Sequence, residues 1–135
     1  MSQPIIYIDR SRVRPGDADV LKRGIDEVVA FIESKEPQLL YYGFHLSEDD
    51  SRMTVVAIHP DTASVELHMD VGASAFKSLG EFIDLEAIEV YGEASERMLE
   101  QLQRKAEMLG DGNTQVIVDG LHAGFARMEA PTTSP

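Results

Sequence analysis

Four histidines, His45, His59, His68 and His122, are the side chains best suited to moving a proton near neutral pH. They stand 14, 9 and 54 residues apart and form no H-x-H or H-x-x-x-H pair, so no metal site is expected from their spacing. His68 is the candidate general base, since an imidazole ordinarily titrates near neutrality. Its competing reading is an exposed histidine on the solvent face of an amphipathic helix, beside Glu66 and Asp70. His45 shares one face of a regular strand with Leu39 and Tyr41. There the two polar rings could line a cavity, with Tyr41 donating a hydrogen bond to a ligand. The alternative is a half-buried histidine near a subunit seam. His59 ends a strand before Pro60 and reads as a loop residue. His122 lies between Gly120 and Gly124, where a ligand or a second backbone could approach closely, although a structural role fits as well.

Other reactive patterns are weak or missing. There is no cysteine, which removes disulfides, thiolate metal sites and thiol catalysis together. Asp84, Glu86 and Glu89 could form a general-acid pair, but charge protecting a solvated edge strand explains them more simply. Arg10, Arg12 and Arg14 could bind an anion, with ion pairing at a sheet edge or dimer seam as the plainer role. No glycine-rich phosphate loop and no G-x-S-x-G motif occurs, so a nucleotide cofactor and a hydrolase triad lack support.

The elements that would position these residues follow from periodicity. A β-rich run covers 5–10, and Pro15-Gly16 marks a turn. Asp17 is placed to cap a helix over 17–35 whose apolar positions recur at helical spacing, and Pro37 ends it. Period-two patterns over 39–46 and 52–59, joined by an acidic turn, predict a hairpin. A helix is expected over 61–80, capped by Asp61 or Thr62 and interrupted at Gly72. A strand follows over 82–91, with Ile83, Leu85, Ala87 and Tyr91 on one face. Ser95 caps a third helix with an apolar stripe of Met98, Leu99, Leu102, Ala106 and Leu109, and Glu93–Arg97 and Glu100–Arg104 are placed as helical ion pairs. Gly110 suits the helix C-cap, and a long last strand is expected over 115–128. The order βαββαβ followed by αβ predicts an α+β, ferredoxin-like fold with a C-terminal αβ extension.

At 135 residues the chain makes one domain, expected over 1–128, with a disordered tail over 129–135. Twelve basic residues against twenty-four acidic give a net charge of −12, which disfavours nucleic acid and anionic membranes as partners. No apolar run is long enough for a membrane span and no signal peptide is evident, so a cytoplasmic protein is expected. One sheet face is covered by the helices. The other carries apolar side chains from every strand, and a two-fold homodimer packed sheet to sheet would cover it.

These pieces resemble the antibiotic biosynthesis monooxygenase family of the dimeric α/β barrel superfamily. The resemblance covers about residues 4–91. It rests on Ile5-Ile6-Tyr7-Ile8, Val13-Arg14-Pro15-Gly16, Tyr41-Tyr42-Gly43-Phe44, and Val55-Val56-Ala57-Ile58-His59 leading to Glu66-Leu67-His68. It implies that His68 faces a substrate cavity, that His59 stands where the family often has tryptophan, and that Phe76 supplies the second-helix aromatic after a two-residue insertion near Gly72. It also implies a homodimer that oxidises a small aromatic or quinol-like substrate with dioxygen and without metal or other cofactor. On this reading His68 is the base, and Tyr41, His45, His59 and Phe76 contact the substrate. The haem-degrading branch relies on an Asn–Trp–His set, which this chain lacks, since it has no tryptophan and its one asparagine is Asn113. The other function expected is a non-catalytic dimeric small-molecule-binding or accessory protein on the same fold.

Overall fold

The computed structural model describes residues 3–127. Alternation of inward and outward side chains makes β1 (Ile5–Val13), β2 (Tyr41–Leu46), β3 (Arg52–His59) and β4 (Ile83–Tyr91). They form one sheet with β5 (Gln115–Asp119) in the order β2-β3-β1-β4-β5. All neighbours are antiparallel except β4 and β5, which are parallel and joined by a crossover helix. Helices α1 (Ala18–Lys35), α2 (Thr62–Leu79) and α3 (Glu96–Leu109) supply the apolar layer. The fold is the expected ferredoxin-like α+β unit, and the C-terminal αβ extension widens the sheet at the β4 edge.

The buried faces make two adjoining cores. Leu21, Ile25, Val28 and Ile32 of α1 pack on Met53, Val55 and Ile83. Val65, Met69 and Phe76 of α2 and Met98, Leu102, Ala106 and Leu109 of α3 pack on Ile5, Tyr7, Leu85, Ile88 and Val90. Asp61 and Ser95 cap α2 and α3 by accepting from the amides of Ser64 and Met98. Asp17 makes no side-chain cap to α1, contrary to expectation.

Several sequence expectations need correction. Helix α2 runs unbroken through Gly72, where the missing side chain leaves room for the Phe76 ring: a Cβ would stand 2.4 Å from Phe76 Cζ. Gly110 ends α3 without a left-handed conformation; it is needed because a Cβ would meet Thr114 Oγ1 at 1.7 Å. Strand β1 is longer than expected, and a bulge opposite Arg10 and Ser11 shifts the β4 register past Glu86. The inward face of β4 is therefore Ile83, Leu85, Ile88 and Val90, while Tyr91 turns outward. Strand β5 stops at Asp119, and the segment after it is irregular up to Arg127. The tail expected to be disordered over 129–135 lies outside the described residues.

The outer face of the sheet divides in two. One end carries exposed Ile6, Tyr41, Tyr91 and Ile117. The other is a ladder of cross-strand ion pairs: Arg10–Glu89, Arg12 and Arg14 on Asp84, and Arg52–Glu86. The acids of β4 thus sit on an interior strand and neutralise arginines, rather than protecting an edge. The apolar covering expected from every strand holds for only one end. Arg97 reaches across to Glu66 and Asp70 of α2 instead of pairing with Glu93, whereas Glu100–Arg104 forms as expected, at 3.7 Å. Among the described residues, no helix is long and apolar enough to cross a membrane.

Candidate active site

Pro37 pushes Glu36 out of helical geometry, to φ −127° and ψ 70°, at the C-terminus of α1. From this turn Glu36 reaches His68, which lies on the inward side of α2. The imidazole Nδ1 is 2.9 and 2.8 Å from the two carboxylate oxygens. Glu36 is 2% exposed and His68 1%, so water does not screen the pair. Burial raises the Glu36 carboxyl to about 7. Burial, and then the nearby positive charge of Lys105, lowers His68 to about 3. The His68 Nε2 has no hydrogen-bond partner among the described residues.

Three aromatic-type rings surround His68. Tyr42 and His59 meet it edge to face, with centroids at 5.2 and 5.3 Å, and Phe76 is tilted against it at 5.1 Å. His59 is anchored by Ser64, whose hydroxyl lies 2.7 Å from Nδ1. Burial, and next the neighbouring His68, lowers His59 to about 3.

A second polar cluster faces this pair. Asp9 occupies an inward position of β1, in the alternation Ile5, Tyr7, Asp9, Ser11, Val13. Lys105 comes from α3, on the stripe that also buries Met98, Gln101, Leu102, Ala106 and Leu109. Its ammonium donates to Asp9 Oδ2 at 2.6 Å and to the Tyr7 hydroxyl at 3.1 Å. It also lies 3.9 Å from the centre of the Phe76 ring. Asp9 Oδ1 and Ser11 Oγ are buried without a partner among the described residues.

Tyr7, Asp9, Tyr42, His68, Phe76 and Lys105 line one narrow cavity between sheet and helices. Its volume is about 20 Å³, the room of a single water, so a substrate can enter only by displacing side chains.

Among the residues singled out from sequence, His68 and Phe76 lie on this cavity. His68 is buried against Glu36 rather than exposed beside Glu66 and Asp70. His59 is buried behind His68 as a packing neighbour and does not line the cavity. Tyr41 and His45 are on the wrong strand face for it. They point outward, stacked on each other and joined by a 3.0 Å hydrogen bond, while Tyr42 and Phe44 take the inward phase. His122 lies in a separate groove of about 830 Å³ between the start of β1 and the segment after β5. Among the described residues, no cluster of three or more histidine or carboxylate ligands is placed to hold a metal ion.

Sequence reasoning missed Glu36, Asp9 and Lys105. Asp9 and Lys105 had a usable signal, since each is a charged residue at an apolar phase of its element. Glu36 had none beyond standing before a proline.

No protein-family model matches the sequence, and no curated protein matches it. Solved structures do. MupZ from Pseudomonas fluorescens superposes with a TM-score of 0.71 at 19% identity, over 94% of this chain and 91% of that one. That coverage takes in the C-terminal extension. A Caulobacter crescentus protein assigned to the antibiotic biosynthesis monooxygenases gives a TM-score of 0.57 at 17% identity, over 66% of this chain and 86% of that one. Another antibiotic biosynthesis monooxygenase gives 0.54 at 17% identity, over 64% and 92%. At these identities the likeness is one of fold. The chain therefore has the ferredoxin-like fold of the antibiotic biosynthesis monooxygenases, lengthened at its C-terminus by α3 and β5.

Proposed function

We propose that the protein is a cofactor-independent monooxygenase acting on a small hydroxylated aromatic, with His68 as general base. The observation that carries this reading is the buried Glu36–His68 pair opening on the same apolar cavity as the Lys105–Asp9 pair. Burying four ionisable side chains costs several kcal/mol each unless they are well compensated, and apolar residues of the same size would serve the fold as well. Such groups concentrate where chemistry needs them.

Burial opposes a lone charge on the imidazole, so His68 can accept a proton only with the Glu36 carboxylate behind it. The proton passes from the phenol oxygen to Nε2, and Nδ1–H donates to Glu36. The phenolate is then electron-rich enough to react with dioxygen at an unsubstituted ring carbon para to the oxygen. One oxygen atom becomes the second carbonyl of a quinone. The other leaves as water with the two hydrogens of the phenol O–H and ring C–H. The protein supplies the base, orientation and exclusion of bulk water. A ring needs more space than the cavity offers, and Phe76 is the side chain whose place it would take, because that ring packs against both His68 and Lys105.

A homodimer belongs to the same proposal. The exposed apolar end of the outer sheet face, with Ile6, Tyr41, Tyr91 and Ile117, favours it, and sedimentation of a lone protomer at micromolar concentration would remove it.

The test is oxygen uptake with a panel of phenols and quinols, comparing the wild type with His68→Ala. Consumption that depends on His68 supports the reading, and consumption indifferent to the substitution removes His68 from the mechanism. The second reading is a non-catalytic binding module, and burial favours it by holding His68 down at about 3, which makes the imidazole a weak base. Binding of the panel without turnover would select it.

A further inference from the structure

Removing a proton from a ligand hydroxyl leaves a negative charge in a cavity whose other walls include Leu79, Ile83, Leu85 and Leu109. A charge in such surroundings requires a fixed counter-charge. Lys105 is the one lysine or arginine among the described lining residues. Its side chain is 7% exposed, and the ammonium is held by Asp9 and by the Tyr7 hydroxyl. Two of its three N–H bonds are engaged there, and the ammonium sits over the Phe76 ring. A ligand ring in the place of Phe76 would contact both His68 and this ammonium.

We propose that Lys105 is the oxyanion-holding residue of the site, so that the cavity takes a hydroxylated ligand in its ionised form, and that α3 serves to deliver this charge. The assignment rests on the proposed acid–base reading of the same cavity and adds to it the binding of the anion. Asp9 is a positioning residue: it fixes the ammonium from β1, 96 residues away in sequence. The role explains two features that stability alone does not. A lysine is the one charged residue on the buried stripe of α3, which also holds Met98, Gln101, Leu102, Ala106 and Leu109. The cation comes from the C-terminal extension, beyond the βαββαβ unit that supplies Asp9, Glu36 and His68.

The probe is 4-nitrophenol, whose ionised form is yellow and which undergoes no oxidation in the measurement. It is titrated with the full-length wild type at a pH where the free probe is mostly neutral. The expected result is a bound yellow form, with the ionised fraction raised about tenfold over free probe, the equivalent of one pKa unit. The paired variant Asp9→Asn/Lys105→Met leaves no unpaired buried charge, and its thermal unfolding shows whether it folds. It should bind the probe in the neutral form, while Lys105→Arg keeps part of the yellow signal. A bound probe that stays neutral on the wild type overturns the assignment. So does an ionised probe on the paired variant, or no binding to the wild type at millimolar probe. Because the spectrum reports ionisation and not turnover, a yellow complex from a protein that consumes no oxygen with any phenol or quinol of the panel would retire the oxidation reading and leave the assignment of Lys105 standing.

Discussion

The Nδ1 atom of His68 lies 2.8 Å from Oε2 of Glu36, a contact made between α2 and the pre-proline end of α1 in the dry interior. This contact dictates which imidazole nitrogen is basic. When Glu36 is ionised it accepts from Nδ1–H, and Nε2 keeps a free lone pair. When Glu36 is protonated it donates to Nδ1, and Nε2 carries the hydrogen. The protonation of one residue therefore switches the other between base and donor.

Because Glu36 is raised by burial to about 7, the basic form of His68 should appear as pH rises through about 7. Nitrogen-detected NMR of the imidazole should show Nδ1 protonated above that pH and Nε2 protonated below it. Glu36→Gln should abolish the transition, leaving the tautomer constant from pH 5 to 9 in order of magnitude. The same shift has a stability consequence. A carboxyl with a raised folded-state value contributes stability that is complete below its ordinary 4.5 and lost as pH rises through about 7. Urea midpoints of wild type and Glu36→Gln should diverge across that window.

His59 gives the opposite sign. Its value is depressed by burial to about 3, so its contribution to stability is complete above the ordinary 6.5 and lost as pH falls through about 3. Acid titration of the wild type should show stability falling through that range. His59→Gln, which keeps a partner for Ser64, should flatten the fall, as followed by circular dichroism in urea at stepped pH.

Lys105 and Asp9 should be strongly coupled. Removing one member leaves the other charged and buried, with an expected cost of about 3–5 kcal/mol for Lys105→Met or Asp9→Asn alone. The double variant should cost less than the sum of the singles, and urea unfolding of the four proteins in a double-mutant cycle measures the difference.

Phe76 is the fourth test. Phe76→Ala should lower stability by about 3–5 kcal/mol, since it removes a ring buried between α2 and the sheet. It should also enlarge the water-sized cavity enough to bind a small aromatic such as phenol, detectable by calorimetry. Gly72→Ala adds a methyl where the Phe76 ring packs and should cost about 1–3 kcal/mol despite alanine's higher helix propensity.

Much of the fold was legible in local patterns. Helix α1 and the hairpin of β2 and β3 follow from spacing alone, and Asp61 and Ser95 cap as their types suggest. The errors arose where spacing stops being regular. The bulge near Glu86 changes the face of every later residue in β4. The strand that carries Tyr41 and His45 is apolar or aromatic on both phases, so alternation did not say which phase the core would take.

The sequence by itself determined the order of elements, the ferredoxin-like class and a histidine on the second helix, because each depends on interactions a few residues apart. The tertiary structure alone decided that His68 is buried against Glu36, 32 residues away, and that Lys105 meets Asp9 across 96. Those contacts depend on how three helices dock on a twisted sheet. A charged residue at an apolar phase announces only that it will need a partner inside, while which partner it finds is settled by packing.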